Sequence, residues 1–203
     1  VRSRRQRQMC IRDRVEARLR EDEKIGVLIN NAGMAQSGNF AGQTPEAIER
    51  LIALNVTALT RLASAAAPRF VKTGEGAIVN ISSVVGLAPE FAMTVYGATK
   101  AFVLFLSQGL HIELSSAGVY VQAVLPAGTY TEIWERAGID ISKAPEMMEV
   151  GQLVDAALAG FDRRELVTIP PLQNAAHWDD LEKARQALLA DINQAKAAER
   201  YTV

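Results

Sequence analysis

Short apolar runs alternate with longer helical segments between residues 25 and 169, and this alternation restricts the possible folds more than any other feature. The apolar runs are rich in β-branched residues and show little polar alternation, which is typical of strands buried on both faces. They occupy residues 25–29, 77–82, 119–125 and 165–169. Strands that alternate with helices form a parallel sheet with helices on both sides, so we predict an α/β fold with a doubly wound parallel sheet.

The segments between these runs carry helix signals. Thr44, Pro45 and Glu46 match an N-cap, a first helical position and an acidic first turn, and the helix they begin is predicted to reach about Leu54. Further helices are predicted over residues 56–71, from Tyr96 to about residue 116, over residues 150–161, and in an amphipathic segment capped by Asp179. Residues 131–148 have mixed character and are predicted to form a lid of short helices.

Composition excludes several classes of protein. The chain has 203 residues, is 49% hydrophobic and has a net charge of −1, which suits one domain with a real core and argues against a nucleic-acid binder. A single cysteine, Cys10, excludes an internal disulfide and favours a reducing compartment, so we expect a cytoplasmic protein. We find no apolar stretch near the roughly 20 residues of a membrane helix, and no metal-like neighbours around His111 or His177.

Residues 1–14 are rich in arginine and have no regular apolar period. They could form a basic arm for an acidic partner or a mitochondrial presequence. They also resemble translated adapter sequence, and we expect this non-native origin and leave the segment out of the fold prediction.

Tyr96 and Lys100 are four residues apart in a predicted helix, so their side chains share one face. An ammonium beside a phenol stabilises the phenolate and lowers the phenol pKa from about 10. This pairing would make Tyr96 an acid–base group near neutral pH. Asn31, Ser83 and Pro126 each lie at or just past the end of a predicted strand, which is where ligands bind in open parallel sheets.

Four motifs in this order resemble the short-chain dehydrogenase/reductase family of the common, compact type. They are the Asn30-Asn31-Ala32-Gly33 turn, Asn55, the serine pair ending in Ser83, and Tyr96 with Lys100. Ser83 precedes Tyr96 by 13 positions, which is also the family's spacing. The resemblance spans about residues 24–131, and it implies a Rossmann-like fold that moves a hydride between NADP or NAD and a small carbonyl or alcohol substrate.

The resemblance also implies roles for single residues. Tyr96 would be the proton donor or base, Lys100 would also bond the nicotinamide ribose, and Ser83 rather than Ser82 would donate to the reacting oxygen. Asn55 would hold a water for proton relay, although a purely structural bond is an open alternative. The residues implied to contact the cofactor, besides Tyr96 and Lys100, are Asn31, Ala32, Gly33, Pro126, Gly128 and Thr131; Ala127 stands where the family usually has glycine. For the turn at residues 30–33, an asparagine that ties neighbouring strands together is an open structural alternative.

A complete family member begins with a strand, a glycine-rich turn and a helix that hold the cofactor pyrophosphate. The sequence has no Gly-x-x-x-Gly-x-Gly. We therefore expect residues 15–203 to be a partial Rossmann-like domain without its first strands and without this turn. We expect the isolated chain to bind cofactor weakly or not at all and to be inactive, and we expect the residue that selects NAD or NADP to be missing with the second strand.

Two alternatives to a reductase or dehydrogenase stay open: a Rossmann-like binding or scaffold protein without turnover, and an epimerase or dehydratase of the extended relatives. Relatives pair the helices at residues 56–71 and 101–116 across a two-fold axis, so the resemblance implies a homodimer or homotetramer. A set of apolar side chains could line the substrate pocket: Val85, Leu87, Phe91, Met93, Ile133, Trp134, Met147 and Met148.

Overall fold

The computed structural model describes residues 4–36, 38–137 and 146–201, with side chains from residue 11 onward. The chain divides into two compact units, Val1–Pro170 and Pro171–Val203. The first unit contains the sheet and every residue proposed for the site. The second contains one long helix.

Four parallel strands form one sheet in the order in which they occur along the chain. They are β1 (Val27–Asn30), β2 (Gly76–Ile81), β3 (Val119–Val124) and β4 (Val167–Thr168). In the register, Asn30 pairs with Asn80, and Val124 pairs with both Ile81 and Thr168. The carboxyl ends of neighbouring strands therefore meet at one edge of the sheet, and the predicted α/β fold with a parallel sheet is confirmed.

Helices connect the strands at the positions that the sequence predicts, with small shifts at their ends. They are α1 (Arg4–Glu21), α2 (Pro45–Ile52), α3 (Leu59–Thr73), α4 (Thr94–Leu114), α5 (Ile133–Arg136), α6 (Val150–Asp162) and α7 (Ala176–Ile192). Thr44 is the N-cap of α2, where its hydroxyl accepts a hydrogen bond from the Ala47 amide. Gly74 ends α3 in the left-handed conformation, which glycine adopts without strain.

The strands differ in how fully they are covered. All residues of β3 are buried, whereas β1 buries only Leu28 and Asn30 and exposes Val27 and Ile29. The main apolar cluster joins α1, α3 and the first three strands through Leu19, Leu28, Ala63, Ala65, Ala66, Phe70, Ile78 and Val119. This cluster fixes α3 against the sheet and so positions the strand ends that form the site.

A π-helical segment, Ala53–Ala58, joins α2 to α3 and makes residues 45–73 one continuous helix. This helix is long and apolar enough to cross a membrane by length and composition, so the prediction that no stretch reaches this level is wrong. The evidence for a membrane is weak, because a core helix passes the same test, and Leu51, Asn55, Leu59 and Ala63 are buried in this fold.

Helix α1 runs through most of the segment that the sequence prediction left out. Asp13 contacts Arg61 of α3 at 3.4 Å, and the buried Glu16 carboxylate pairs with Arg61 at 2.6 Å. The Arg61 hydrogen bond lowers the pKa of Glu16, with burial acting against it. Leaving residues 11–14 out of the fold was therefore wrong, while the non-native origin of residues 1–14 stays a prediction.

Two other predicted features differ from the structure. Asp179 does not cap α7, because the helix begins at Ala176 and places Asp179 in its first turn. In the predicted lid, α5 is a single short helix, and residues 138–145 of that segment lie outside the described residues.

Candidate active site

A cavity of about 2010 Å³ opens at the carboxyl ends of the strands. Ser83 reaches it from the end of β2, and Tyr96 and Lys100 reach it from the first two turns of α4. The other predicted site residues that line this cavity are Asn31, Ala32, Gly33, Pro126, Gly128 and Thr131. The structure thus brings together nine of the ten predicted residues, and Asn55 lies behind them.

The serine pair after β2 divides its contacts between two neighbours. The Ser83 hydroxyl donates to the Pro126 carbonyl at 3.2 Å and accepts from the Val85 amide at 3.4 Å, and Ser83 acts to lower the pKa of the neighbouring Tyr96 phenol. The Ser82 hydroxyl instead donates to the Lys100 carbonyl at 2.7 Å. Ser83 is therefore the serine that faces Tyr96, as the family resemblance implies.

Burial controls the acidity of Tyr96. It raises the pKa of the phenol above 10, and the neighbouring Ser83 side chain acts in the opposite direction without overcoming it. The prediction that Lys100 lowers this pKa is wrong for this structure, because burial raises the pKa and Ser83 is the side chain that acts against it. Tyr96 is a neutral phenol at pH 7, which is the form that can donate a proton.

Lys100 is 7% exposed, and its ammonium donates to the Ile81 carbonyl at 2.9 Å. The same nitrogen lies 5.6 Å from the centre of the Tyr96 ring. Burial lowers the pKa of Lys100 to about 8. The side chain is therefore still mainly charged at pH 7, and it places a positive charge beside the phenol.

Asn55 lies in the π-helical segment and is 2% exposed. Its Oδ1 accepts from the Met34 amide at 2.9 Å, and its Nδ2 donates to the Met34 carbonyl at 2.9 Å and to Thr99 Oγ1 at 3.1 Å. Both amide hydrogens of Asn55 are bonded to other residues, which supports a structural role for this side chain. Its water-holding role stays a prediction.

Thr99 is a residue that the sequence reasoning missed. Its hydroxyl accepts from Asn55 and donates to the Tyr96 carbonyl at 2.7 Å, which ties the Met34 loop to the turn that carries Tyr96. The signal was present in the sequence, since Thr99 directly precedes Lys100, but a helical threonine more often bonds only its own helix.

The segment after β3 forms the far wall of the cavity. Met148 donates from its amide to the Gly128 carbonyl at 2.9 Å and accepts from the Tyr130 amide at 3.0 Å. Trp134 Nε1 donates to the Thr129 carbonyl at 2.7 Å. These bonds hold α5 and the chain at Met148 beside the cavity mouth.

The predicted apolar pocket is present in part. Five of its candidates line the cavity: Val85, Phe91, Met93, Ile133 and Trp134. Leu87, Met147 and Met148 do not, and Met147 instead packs beneath Gly128, where a Cβ would lie 3.2 Å from its Cγ. Within the described residues, no group of His, Cys, Asp or Glu could hold a metal ion.

The donor set suits the nicotinamide–ribose end of a dinucleotide. Lys100 offers a charged donor for hydroxyl groups, and exposed Asn31, Ala32 and Gly33 let a ligand approach the backbone closely. A Cβ at Gly33 would lie 3.5 Å from Asn55 Oδ1 and 3.7 Å from Lys100 Nζ, so this turn packs directly on the site. We assign no residue to the pyrophosphate.

The fold and the convergence of Ser83, Tyr96 and Lys100 define a Rossmann-like oxidoreductase site, and comparison with known proteins gives the family. The profile of the short chain dehydrogenase family matches residues 2–141. The chain belongs to the short-chain dehydrogenase/reductase family.

Solved relatives are similar over nearly the whole chain. A short-chain dehydrogenase from Sphingobium yanoikuyae, in complex with NADPH, is 71% identical with a TM-score of 0.94, over 96% of this chain and 76% of that one. The bulky-bulky ketone specific alcohol dehydrogenase from Comamonas testosteroni is 59% identical with a TM-score of 0.88, over 99% and 75%.

The very-long-chain 3-oxoacyl-CoA reductase of Bos taurus is 40% identical over 77% of this chain and 53% of its own length. The chain spans about a third to a half of the curated relatives that it matches.

Proposed function

We propose that this protein is an NAD(P)-dependent oxidoreductase that interconverts a ketone and a secondary alcohol. The observation that carries the proposal is the convergence in one cavity of Ser83, a half-buried, neutral Tyr96 and the Lys100 ammonium beside its ring. Such a group of donors at one point can bind a carbonyl oxygen and protonate it as negative charge develops.

In this proposal the chain's own residues handle the proton and the charge. Ser83 and Tyr96 would hold the substrate oxygen, and Tyr96 would transfer its proton to that oxygen. The Lys100 charge would stabilise the phenolate that remains. Lys100 and the turn at residues 31–33 would hold the cofactor's nicotinamide ribose, and the cofactor, when bound, supplies the hydride.

The apolar wall supports a substrate with bulky groups on both sides of the carbonyl. Phe91 and Met93 precede α4, and Ile133 and Trp134 belong to the opposite side at α5. The name of the Comamonas relative points to the same class. NADPH is the cofactor that we test first, because the Sphingobium relative is in complex with it.

The test is a comparison of the full-length protein with its Tyr96→Phe variant, on small and on bulky ketones with NADPH or NADH. The substitution removes one proton donor and little volume, so we expect turnover to fall by about 100-fold or more. Cofactor affinity should stay nearly unchanged. Retention of more than about a tenth of the wild-type rate would show that Tyr96 is not the acid.

A scaffold without turnover is the alternative outcome of the same experiment. In that case the wild-type protein would bind cofactor but reduce no ketone, and Tyr96→Phe would behave like wild type. A preference for small ketones over bulky ones, with turnover intact, would contradict only the proposed substrate class.

Our proposal extends to assembly and location. Helix α4 exposes Phe102, Phe105 and Ile112 in one stripe, with open space above Gly109 between them. This stripe supports a homodimer or homotetramer formed through α4. We propose a cytoplasmic protein, since the sequence has one cysteine and no disulfide pair.

A further inference from the structure

Ser82 directly precedes the serine of the proposed site and is 2% exposed. Its amide donates to the Val124 carbonyl at 2.8 Å, so β3 holds its backbone in place. Its hydroxyl donates to the Lys100 carbonyl at 2.7 Å. A residue fixed to the sheet thus binds the backbone of the helix residue that carries the site's positive charge.

Lys100 is held at both of its ends by consecutive residues. Ile81 accepts from the ammonium at 2.9 Å, and Ser82 donates to the carbonyl. The lysine stem has several rotatable bonds, so the bond to Ile81 alone fixes only its tip. The bond from Ser82 fixes the backbone from which the stem begins.

Close packing at Gly86 supports the contact between the chain after β2 and the Lys100 peptide. A Cβ at Gly86 would lie 2.7 Å from the Ala101 nitrogen and 2.8 Å from the Lys100 carbonyl carbon, closer than real Cβ atoms approach. The turn Val84–Gly86 therefore lies directly on the Lys100–Ala101 peptide. A carbonyl oxygen has two lone pairs, so Lys100 can accept from Ser82 and also from its own helix.

We propose that Ser82 is a positioning residue that fixes the Lys100 peptide against the end of β2. Through that peptide it also places Tyr96, one helical turn earlier. The effect on turnover rests on the proposed function, whereas the effect on α4 rests on geometry alone. A displacement of about 1 Å in a catalytic group can lower a rate by about 100-fold.

Ser107 provides a matched control on the same helix. It is fully buried, donates to the Val103 carbonyl at 2.7 Å and accepts from Asn80 Nδ2 at 2.9 Å. It does not line the cavity. Ser107→Ala therefore removes a buried hydroxyl from α4 without loosening the turn that carries Lys100.

The experiment measures steady-state kinetics and melting temperature for Ser82→Ala, Ser82→Thr and Ser107→Ala in the full-length protein. For Ser82→Ala we expect kcat to fall by about 10- to 100-fold, with the ketone KM nearly unchanged. Ser82→Thr keeps the hydroxyl and should recover most of kcat. Ser107→Ala should lose a similar amount of melting temperature and keep kcat near wild type.

Hydrogen exchange of amides 101–104 gives a second readout that does not need turnover. Ser82→Ala should speed exchange there, and Ser107→Ala should not. If Ser82→Ala does not fold, Ser82→Cys, which keeps a weaker donor, should show a smaller loss of kcat and a smaller gain in exchange.

Wild-type kcat in Ser82→Ala, or an equal loss of kcat in Ser107→Ala, would overturn the inference. Absence of turnover in the wild-type protein, or full activity in Tyr96→Phe, would instead contradict the proposed function. Exchange at residues 101–104 would then still decide whether Ser82 fixes this turn.

Discussion

Burial acts on both titratable groups of the site by disfavouring their charged forms. It raises the pKa of Tyr96 and lowers the pKa of Lys100 to about 8. Below about pH 8 the pair therefore consists of a neutral phenol beside an ammonium. In the proposed function this is the state that would donate a proton to a carbonyl, and it does not require the lowered phenol pKa that the spacing alone suggested.

The lowered pKa of Lys100 predicts that the stability of the folded protein depends on pH. An unfolded lysine titrates near the ordinary value of 10.5, so the unfolded chain binds this proton more tightly than the folded protein does. Stability rises with pH where the unfolded state binds more protons. The cost of burying Lys100 is thus fully present below about pH 8 and is relieved as the pH rises toward about 10.5.

We expect Lys100→Met to raise the free energy of unfolding by about 1–2 kcal/mol at pH 7, since the relieved burial exceeds the lost bond to Ile81. The gain should shrink between about pH 8 and 10.5, because the wild-type lysine then loses its charge. Denaturant unfolding at several pH values measures this, with exposed Lys72→Met as the control. A Lys100→Met variant less stable than wild type at pH 7 would contradict the prediction.

The helix that spans residues 45–73 connects the loop after β1 to α4 through its π-helical segment. Short π-helical segments often occur at functional sites, where they redirect side chains. Here the segment places Asn55 between the Met34 backbone and Thr99. The three hydrogen bonds of Asn55 therefore brace both the loop after β1 and the turn that carries Tyr96.

Removal of that brace has a measurable cost. Asn55→Ala leaves the Met34 N–H and C=O without their partner, so we expect a loss of about 2–4 kcal/mol in the free energy of unfolding. Thr99→Val keeps the Met34 contacts and should cost about 1–2 kcal/mol. Urea denaturation of both variants measures the difference. Equal losses of unfolding free energy would show that the hydrogen bonds to Met34 contribute little to stability.

Across the whole molecule, features that depend on local pattern could be predicted. The four strands, the Thr44 cap and the convergence of Asn31, Ser83 and Pro126 follow from periodicity and from the position of motifs at strand ends. The grouping of Ser83 with Tyr96 and Lys100 follows from the family resemblance. The raised pKa of Tyr96 and the contacts of Asn55 depend on packing between residues far apart in the sequence. No local pattern of residues specifies them.

Assembly is the largest-scale property that the fold makes testable. The stripe on α4 leaves Phe105 79% exposed and Ile112 77% exposed, and both lie on the outer side of the helix. Burial of a large apolar side chain contributes about 1.5–3 kcal/mol, and a two-fold contact counts each residue twice. We therefore expect a dimer or tetramer at micromolar concentration.

The double variant Phe105→Glu/Ile112→Glu places four charges in such a contact and should raise the dissociation constant by more than about 100-fold. Light scattering of the full-length protein measures this, with Phe40→Glu as the control because Phe40 is 60% exposed on a turn outside α4. The control should assemble like wild type. A monomeric wild-type protein would exclude this interface, because the stripe on α4 would then be exposed in solution. A double variant that still assembles would show that the interface lies elsewhere.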